Sequence, residues 1–358
     1  MEPFTIGRGR DVDRKIKVLV VDDSAFMRKT ISAMIEGNSN FIVIGKARNG
    51  IDALEKIERL KPDIVTLDIE MPELDGLDTL KRIIMECPLP VIMLSNGADS
   101  TLEAFEIGAV DFILKKELIK EENEEVINDF HQRILTAATA RVPVPPTVIK
   151  EHGPIEEEEI PVVSPTSGKW DLLVIGSSTG GPAALQKILT RFPVNFPVPI
   201  LVIQHMPPGF TKPLADRFNG LCTLEVKEAE HNEPMKAGSI YIAPAGLYTS
   251  IQKNSEGQYV IRLKISSLIE SLYKPSIDVA LLSIAPLAKD RCLAVILTGM
   301  GDDGLRGCKK LKEEGGMLFS ESEETCVVYG MPKVVYEAGL VDKQIPLGKM
   351  FESIMELV

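Results

Sequence analysis

Short apolar runs recur along the chain, each followed by a longer stretch with the three-to-four-residue spacing of an amphipathic helix. In the first half they are KVLVV (17–21), FIVIG (41–45), DIVTL (63–67), PVIML (90–94) and VDFIL (110–114). In the second half they are DLLVIG (171–176), PILVIQ (199–204), SIYIA (239–243), LAVILT (293–298) and GMLFS (316–320). Such alternation predicts βαβ units and parallel sheets. LYTSIQKNSEGQYVIRLK (247–264) alternates around a Ser-Glu-Gly turn and predicts a hairpin inserted into the second half. Between the halves the pattern collapses into RVPVPPTVIKEHGPIEEEEIPVVSPTSGK (141–169), which has neither period and reads as a stiffened linker. The expected organisation is a tail over 1–14, a domain over 15–135, a Pro/Glu-rich linker over 136–169 and a domain over 170–358. The fold class is α/β, with two doubly wound parallel-sheet domains.

A length of 358 residues agrees with two cores rather than one. A formal charge of −12 with 44% apolar residues describes a globular chain without the clustered basic surface that nucleic acid binding requires. Cys87, Cys222, Cys292, Cys308 and Cys326 are scattered, without a C-x-x-C pair, and read as reduced thiols. No run approaches the roughly 18 apolar residues of a membrane span, and the N-terminus is charged. The expectation is a cytoplasmic protein without direct membrane insertion.

Open parallel sheets bind ligands beyond the carboxyl ends of their strands. In the first half those ends carry Asp22 and Asp23, Asp68, Ser95 and Lys115. Three carboxylates on one edge repel one another unless a hard divalent cation neutralises them, and magnesium is the natural candidate. A lysine and a hydroxyl beside that metal suit a phosphoryl group. With DIEMPELDG at 68–76 in place, residues 15–135 resemble a two-component receiver domain, which is flavodoxin-like. The resemblance implies that Asp68 is the phospho-acceptor and that Mg2+ is held by Asp22, Asp23, Asp68 and the backbone carbonyl of Glu70. It further implies that Ser95 and Lys115 touch the phosphoryl oxygens and that Phe112 is the aromatic switch residue. Lys116 stands where the family usually has proline.

The second half contains two histidines, His205 and His231. His205 directly follows a strand, whereas His231 sits in the charged stretch KEAEHNEP and reads as a solvated surface residue. Ser178 also follows a strand, in GSSTG, which fits G-x-S-x-G and presents a serine at the start of a helix. The same turn fits neither the G-x-G-x-x-G dinucleotide motif nor the P-loop, because serine replaces the second glycine and no lysine follows. LAVILT leads into GMGDDG (299–304), so Asp302 and Asp303 reach the same edge. Serine, histidine and aspartate in that arrangement supply a nucleophile, a base and a group that orients the base.

IGSSTGGPAAL, IQHMPPGFT, IYIAPAG, ILTGMGDDG and CVVYGMPKVVYEAGLVD together resemble the Rossmann-like catalytic domain of the chemotaxis protein-glutamate methylesterases, which carry an N-terminal receiver. Residue by residue, the resemblance implies Ser178 as nucleophile, His205 as base and Asp303 as orienting acid, with no cofactor in that domain. Backbone N–H groups at Thr179 and Met300 are oxyanion candidates. It implies hydrolysis of glutamate γ-methyl esters on chemoreceptor cytoplasmic helices, a related deamidation of glutamine, and control by phosphorylation from a chemotaxis histidine kinase. Asp302 replaces the family's usual asparagine, and Tyr273-Lys274-Pro275-Ser276 replaces a His-Arg-Pro-Ser block. The competing function is a response regulator whose output is binding, either as a scaffold or on DNA. The acidic balance and the lack of a basic recognition helix weigh against DNA.

Overall fold

The computed structural model describes residues 14–97, 99–119, 124–142, 169–266, 271 and 273–358. The expected N-terminal tail and most of the expected linker lie outside them. The chain forms two compact units, one built on a five-stranded sheet and one on a seven-stranded sheet.

In the first unit β1 (Ile16–Val21), β2 (Phe41–Ala47), β3 (Ile64–Asp68), β4 (Val91–Ser95) and β5 (Asp111–Leu114) pair in parallel in the order β2-β1-β3-β4-β5. Helices α1 (Ala25–Glu36), α2 (Gly50–Leu60), α3 (Gly76–Glu86), α4 (Asp99–Ile107), α5 (Lys115–Leu118) and α6 (Glu124–Ala137) alternate with these strands along the chain. A parallel sheet is covered on both faces, so its inner strands must be apolar on both. Every residue of β3 and β4 is buried, whereas the edge strand β2 is only partly so. The helices start where Ser24, Asn49 and Asp75 accept backbone N–H groups of their first turns.

The second unit orders its parallel sheet β14-β13-β12-β6-β7-β9-β8. The strands are β6 (Leu172–Ser177), β7 (Ile200–Gln204), β8 (Glu225–Glu228), β9 (Ser239–Ile242), β12 (Cys292–Ile296), β13 (Met317–Glu321) and β14 (Lys343–Ile345). β10 (Tyr248–Lys253) and β11 (Tyr259–Lys264) form the expected antiparallel hairpin. The helices are α7 (Gly181–Leu189), α8 (Thr211–Leu221), α9 (Ile277–Ala288), α10 (Leu305–Glu313), α11 (Met331–Glu337) and α12 (Leu347–Met355). From β6 the chain proceeds to β7 and then β8 and β9 on one side, with β9 placed between β7 and β8, and it resumes at β12 on the other side. The direction of winding therefore reverses at the β6/β12 boundary, where such sheets bind ligands. One face of the core gathers Leu172, Val174, Leu201 and Ile203 against Ile277, Leu281 and Ile284 of α9, with Ile251 and Ile261 of the hairpin in the same cluster. Trp170 donates its indole N–H to the Leu357 carbonyl (2.7 Å), tying the unit's first strand to its last turn.

β8 and β14 extend the sheet beyond the strands expected from apolar runs. They are edge strands of sequence EVKE and KQI, short and charged, as edges must be to avoid pairing with another chain.

Candidate functional site

β6 and β7 end side by side, with Ser177 and Gln204 as register partners, so Ser178 and His205 are the next residues on neighbouring strands. β12 flanks β6 on its other side and delivers the loop that contains Asp303. The three residues expected to act together therefore leave three adjacent strands at one edge.

The backbone of Ser178 is held from several directions. Its N–H donates to the Thr298 carbonyl (3.0 Å), and its carbonyl accepts from the Gly181 N–H (2.7 Å) and from Gln204 Nε2 (3.0 Å). Gln204 Nε2 also donates to the His205 carbonyl (2.9 Å), while its Oε1 accepts the Ser177 hydroxyl (2.6 Å). Gly180, at φ +78°, turns the chain into α7 in a conformation that side chains with a Cβ rarely adopt. The partial positive charge of that helix N-terminus thus lies just beyond Ser178. Gly299 comes so near that a Cβ there would fall 2.7 Å from the Ser178 Cβ.

His205 donates Nε2–H to Asp303 Oδ2 (2.8 Å), while its Nδ1 is buried and has no hydrogen-bond partner. Asp303 is itself buried and fully engaged. Oδ2 also accepts the Ile277 N–H (2.6 Å), and Oδ1 accepts the Ser276 hydroxyl (2.8 Å) and the Asp278 N–H (3.1 Å). Burial pushes its carboxyl upward, but the bond and charge of His205 and the Ile277 and Asp278 N–H groups outweigh it and hold Asp303 below the usual range. The carboxylate thus occupies the N-terminus of α9, where helix polarity favours a negative charge. The neighbouring Asp302 is exposed.

Asp278, buried in the first turn of α9, accepts the N–H groups of Gly304 (3.0 Å) and Gly307 (2.8 Å) and Arg306 Nε (2.7 Å). Thr298 donates its N–H to the buried Glu321 (2.9 Å), whose carboxyl burial pushes above the ordinary range, and its hydroxyl to the Thr179 carbonyl (3.0 Å). Met300 is half-buried in the same loop as Gly299. Tyr273 lies over the His205 ring. His231 stands apart and exposed, accepting the Leu263 N–H at Nδ1 (3.0 Å), so it supports the hairpin backbone.

Gln204, Asp278, Thr298 and Glu321 were not among the residues singled out from the sequence. Asp278 had a local signal, since Ser276 caps α9 and acidic residues favour a first turn. Gln204 had none beyond adjacency to His205.

In the first unit Asp22 and Asp68 are buried at the ends of β1 and β3, and the buried Lys115 bridges them, with Nζ 2.9 Å from Asp22 Oδ2 and 2.7 Å from Asp68 Oδ2. Asp23 is exposed beside them, and one oxygen from each of the three carboxylates lies within 4.8 Å of the others. This all-oxygen, triply acidic set fits a hard divalent cation. Burial, opposed by Lys115 and reinforced by the charge of Asp22, pushes the Asp68 carboxyl up to about 6. The Glu70 N–H donates to Asp68 Oδ1 (3.3 Å). Ser95 ends β4 with its hydroxyl bonded to the Gly97 carbonyl, and Phe112 is buried in β5.

Comparison with known proteins agrees with this division. Residues 18–126 match the response regulator receiver domain and residues 173–354 match CheB methylesterase. A protein-glutamate methylesterase/protein-glutamine glutaminase 1 of Oleidesulfovibrio alaskensis is 42% identical, over 96% of this chain and 99% of that protein. A protein-glutamate methylesterase/protein-glutamine glutaminase of Halalkalibacterium halodurans is 43% identical, again over 96% and 99%. The crystal structure of the Thermotoga maritima CheB methylesterase catalytic domain covers 53% of this chain and 99% of its own, with 46% identity and a TM-score of 0.51. With both regions matched in tandem and full-length relatives at this identity, the chain belongs to the CheB methylesterase family, in the form that carries a response regulator receiver domain.

Proposed function

We propose that this chain hydrolyses glutamate γ-methyl esters on the cytoplasmic helices of chemoreceptors, releasing methanol, and deamidates receptor glutamines by the same chemistry. The observation that carries the site assignment is the His205 imidazole, anchored through Nε2 to Asp303 and left with an unpartnered buried Nδ1 on the strand next to Ser178.

In this reading Nδ1 takes the proton of the Ser178 hydroxyl as the serine oxygen attacks the ester carbonyl. Asp303 holds the Nε2–H tautomer and faces the positive charge that the ring acquires. The tetrahedral oxyanion is met by backbone N–H groups at Thr179 and Met300, with the N-terminus of α7 behind them. His205 then returns its proton to the departing methoxide. Water, deprotonated by the same Nδ1, cleaves the acyl-enzyme and restores Ser178. Loss of ammonia in place of methanol gives the deamidation.

Control is assigned to Asp68, phosphorylated by a chemotaxis histidine kinase. Asp22, Asp23, Asp68 and the Glu70 carbonyl would hold Mg2+, whose charge would offset that of the incoming phosphoryl group. Lys115 and Ser95 would meet the phosphoryl oxygens, and Phe112 would report the change. The domain boundaries proposed are 15–135 and 170–358, joined through 136–169. The assignment places the chain in the cytoplasm, and among the described residues no helix is long and apolar enough to cross a membrane.

Incubation with receptor membranes carrying labelled methyl esters tests the activity. Volatile label is expected to leave the receptors in proportion to added protein. Unchanged receptor methylation with phosphodonor present would rule the activity out.

A further inference from the structure

Tyr273 lies face to face with His205, with ring centroids 4.2 Å apart and planes within 2° of parallel. We propose that Tyr273 is a positioning residue that sets the plane of the His205 ring and so aims Nδ1. The proposal rests on His205 acting as the base. One hydrogen bond, Nε2–H to Asp303, fixes a point and a direction but leaves the imidazole free to tilt about that bond. An aromatic face in parallel contact removes the tilt, and the contact is favourable for the neutral ring and more so once it is protonated, because the tyrosine face carries negative charge.

Tyr273 is itself placed by its surroundings. Its N–H donates to the Ser271 hydroxyl (3.2 Å), and its own hydroxyl lies where a Cβ on Gly301 would come within 2.8 Å. Three and four residues later Ser276 and Ile277 bind the Asp303 carboxylate. One short segment ahead of α9 thereby holds the histidine by its face and the aspartate by its oxygens.

The test uses the full chain with ring-labelled histidine. Only four histidines contribute signals, and His205→Gln identifies the one of interest. In wild type and Tyr273→Phe the His205 ring protons are expected upfield, under the ring current of the stacked aromatic, and Tyr273→Leu should return them downfield. The Leu variant should lose about tenfold in kcat for methanol release with KM unchanged, and the Phe variant should keep most of it. If the other histidine signals move as well, the Leu variant has misfolded, and Tyr273→Met repeats the comparison. A His205 signal or a kcat that does not respond to loss of the ring would overturn the proposal, as would a Phe variant as slow as Leu. Full activity in His205→Gln would instead remove the underlying assignment of the base.

Discussion

Asp278 and Asp303 each bind the backbone that carries the other: Asp303 Oδ1 accepts the Asp278 N–H (3.1 Å), and Asp278 Oδ1 accepts the N–H of Gly304 (3.0 Å). The two carboxylates lie at the N-termini of α9 and α10, each negative charge in the partial positive field of the other's helix. The result is a clasp between α9 and the loop that presents Asp303 to His205.

Asp278→Ala should therefore weaken the fold and the site together. It leaves the buried N–H groups of Gly304 and Gly307 without acceptors, so a loss of about 2–4 kcal/mol in unfolding free energy is expected. Denaturant titration of the full chain measures this, and a midpoint equal to wild type would show that the clasp carries no stability.

Asp303→Asn separates orientation from binding. Both oxygens of Asp303 accept N–H groups, so an amide NH2 in either place opposes a donor and releases the Nε2–H tautomer. A fall in kcat on the order of 10^3 to 10^4, with KM little changed, is expected. Because the folded carboxyl is held below its ordinary value, its stabilising contribution is present above about pH 4 and is lost as pH falls through the folded value. The Asn variant should lack that part of the acid unfolding profile.

Magnesium and protons should compete at Asp68. Its folded carboxyl titrates near about 6, whereas the unfolded one titrates at 3.8, so across that window the native state holds a proton that the unfolded state has released. Native stability without metal therefore declines as pH rises from 3.8 to about 6. Added Mg2+ should raise Tm well above pH 6, and the gain should fade below it as protonation removes a charged ligand. Thermal scans with and without Mg2+ at both ends of the window decide this, and a gain independent of pH would contradict the assignment of Asp68 to the metal.

Asp68→Asn should abolish stimulation of methanol release by a small phosphodonor while the basal rate persists. Stimulation retained in the variant would place the phosphorylation site elsewhere.

The central strands were legible because both of their faces are buried and their residues must be apolar. β8 and β14 were not, because edge strands only four and three residues long, EVKE and KQI, carry no apolar run. Ser178, His205 and Asp303 stood out because each follows a strand, and parallel pairing brings successive strand ends to one edge. Strand-end spacing alone did not choose between Asp302 and Asp303 as the partner of the histidine; only the family resemblance pointed to Asp303. The choice depends on the N-terminus of α9, which lies 25 or more residues earlier in the chain and points its N–H groups at Asp303. The choice of Nε2 over Nδ1 for the Asp303 bond, and the Tyr273 stack, likewise arise from contacts that no local spacing encodes.

The central claim is that Ser178 is the nucleophile. Its most direct test is methanol release from methylated receptor membranes by wild type and by Ser178→Ala of the same chain, at equal concentration and with phosphodonor present. The account predicts a loss on the order of 10^3-fold or more, with thermal stability unchanged. Equal rates from the two proteins would contradict it.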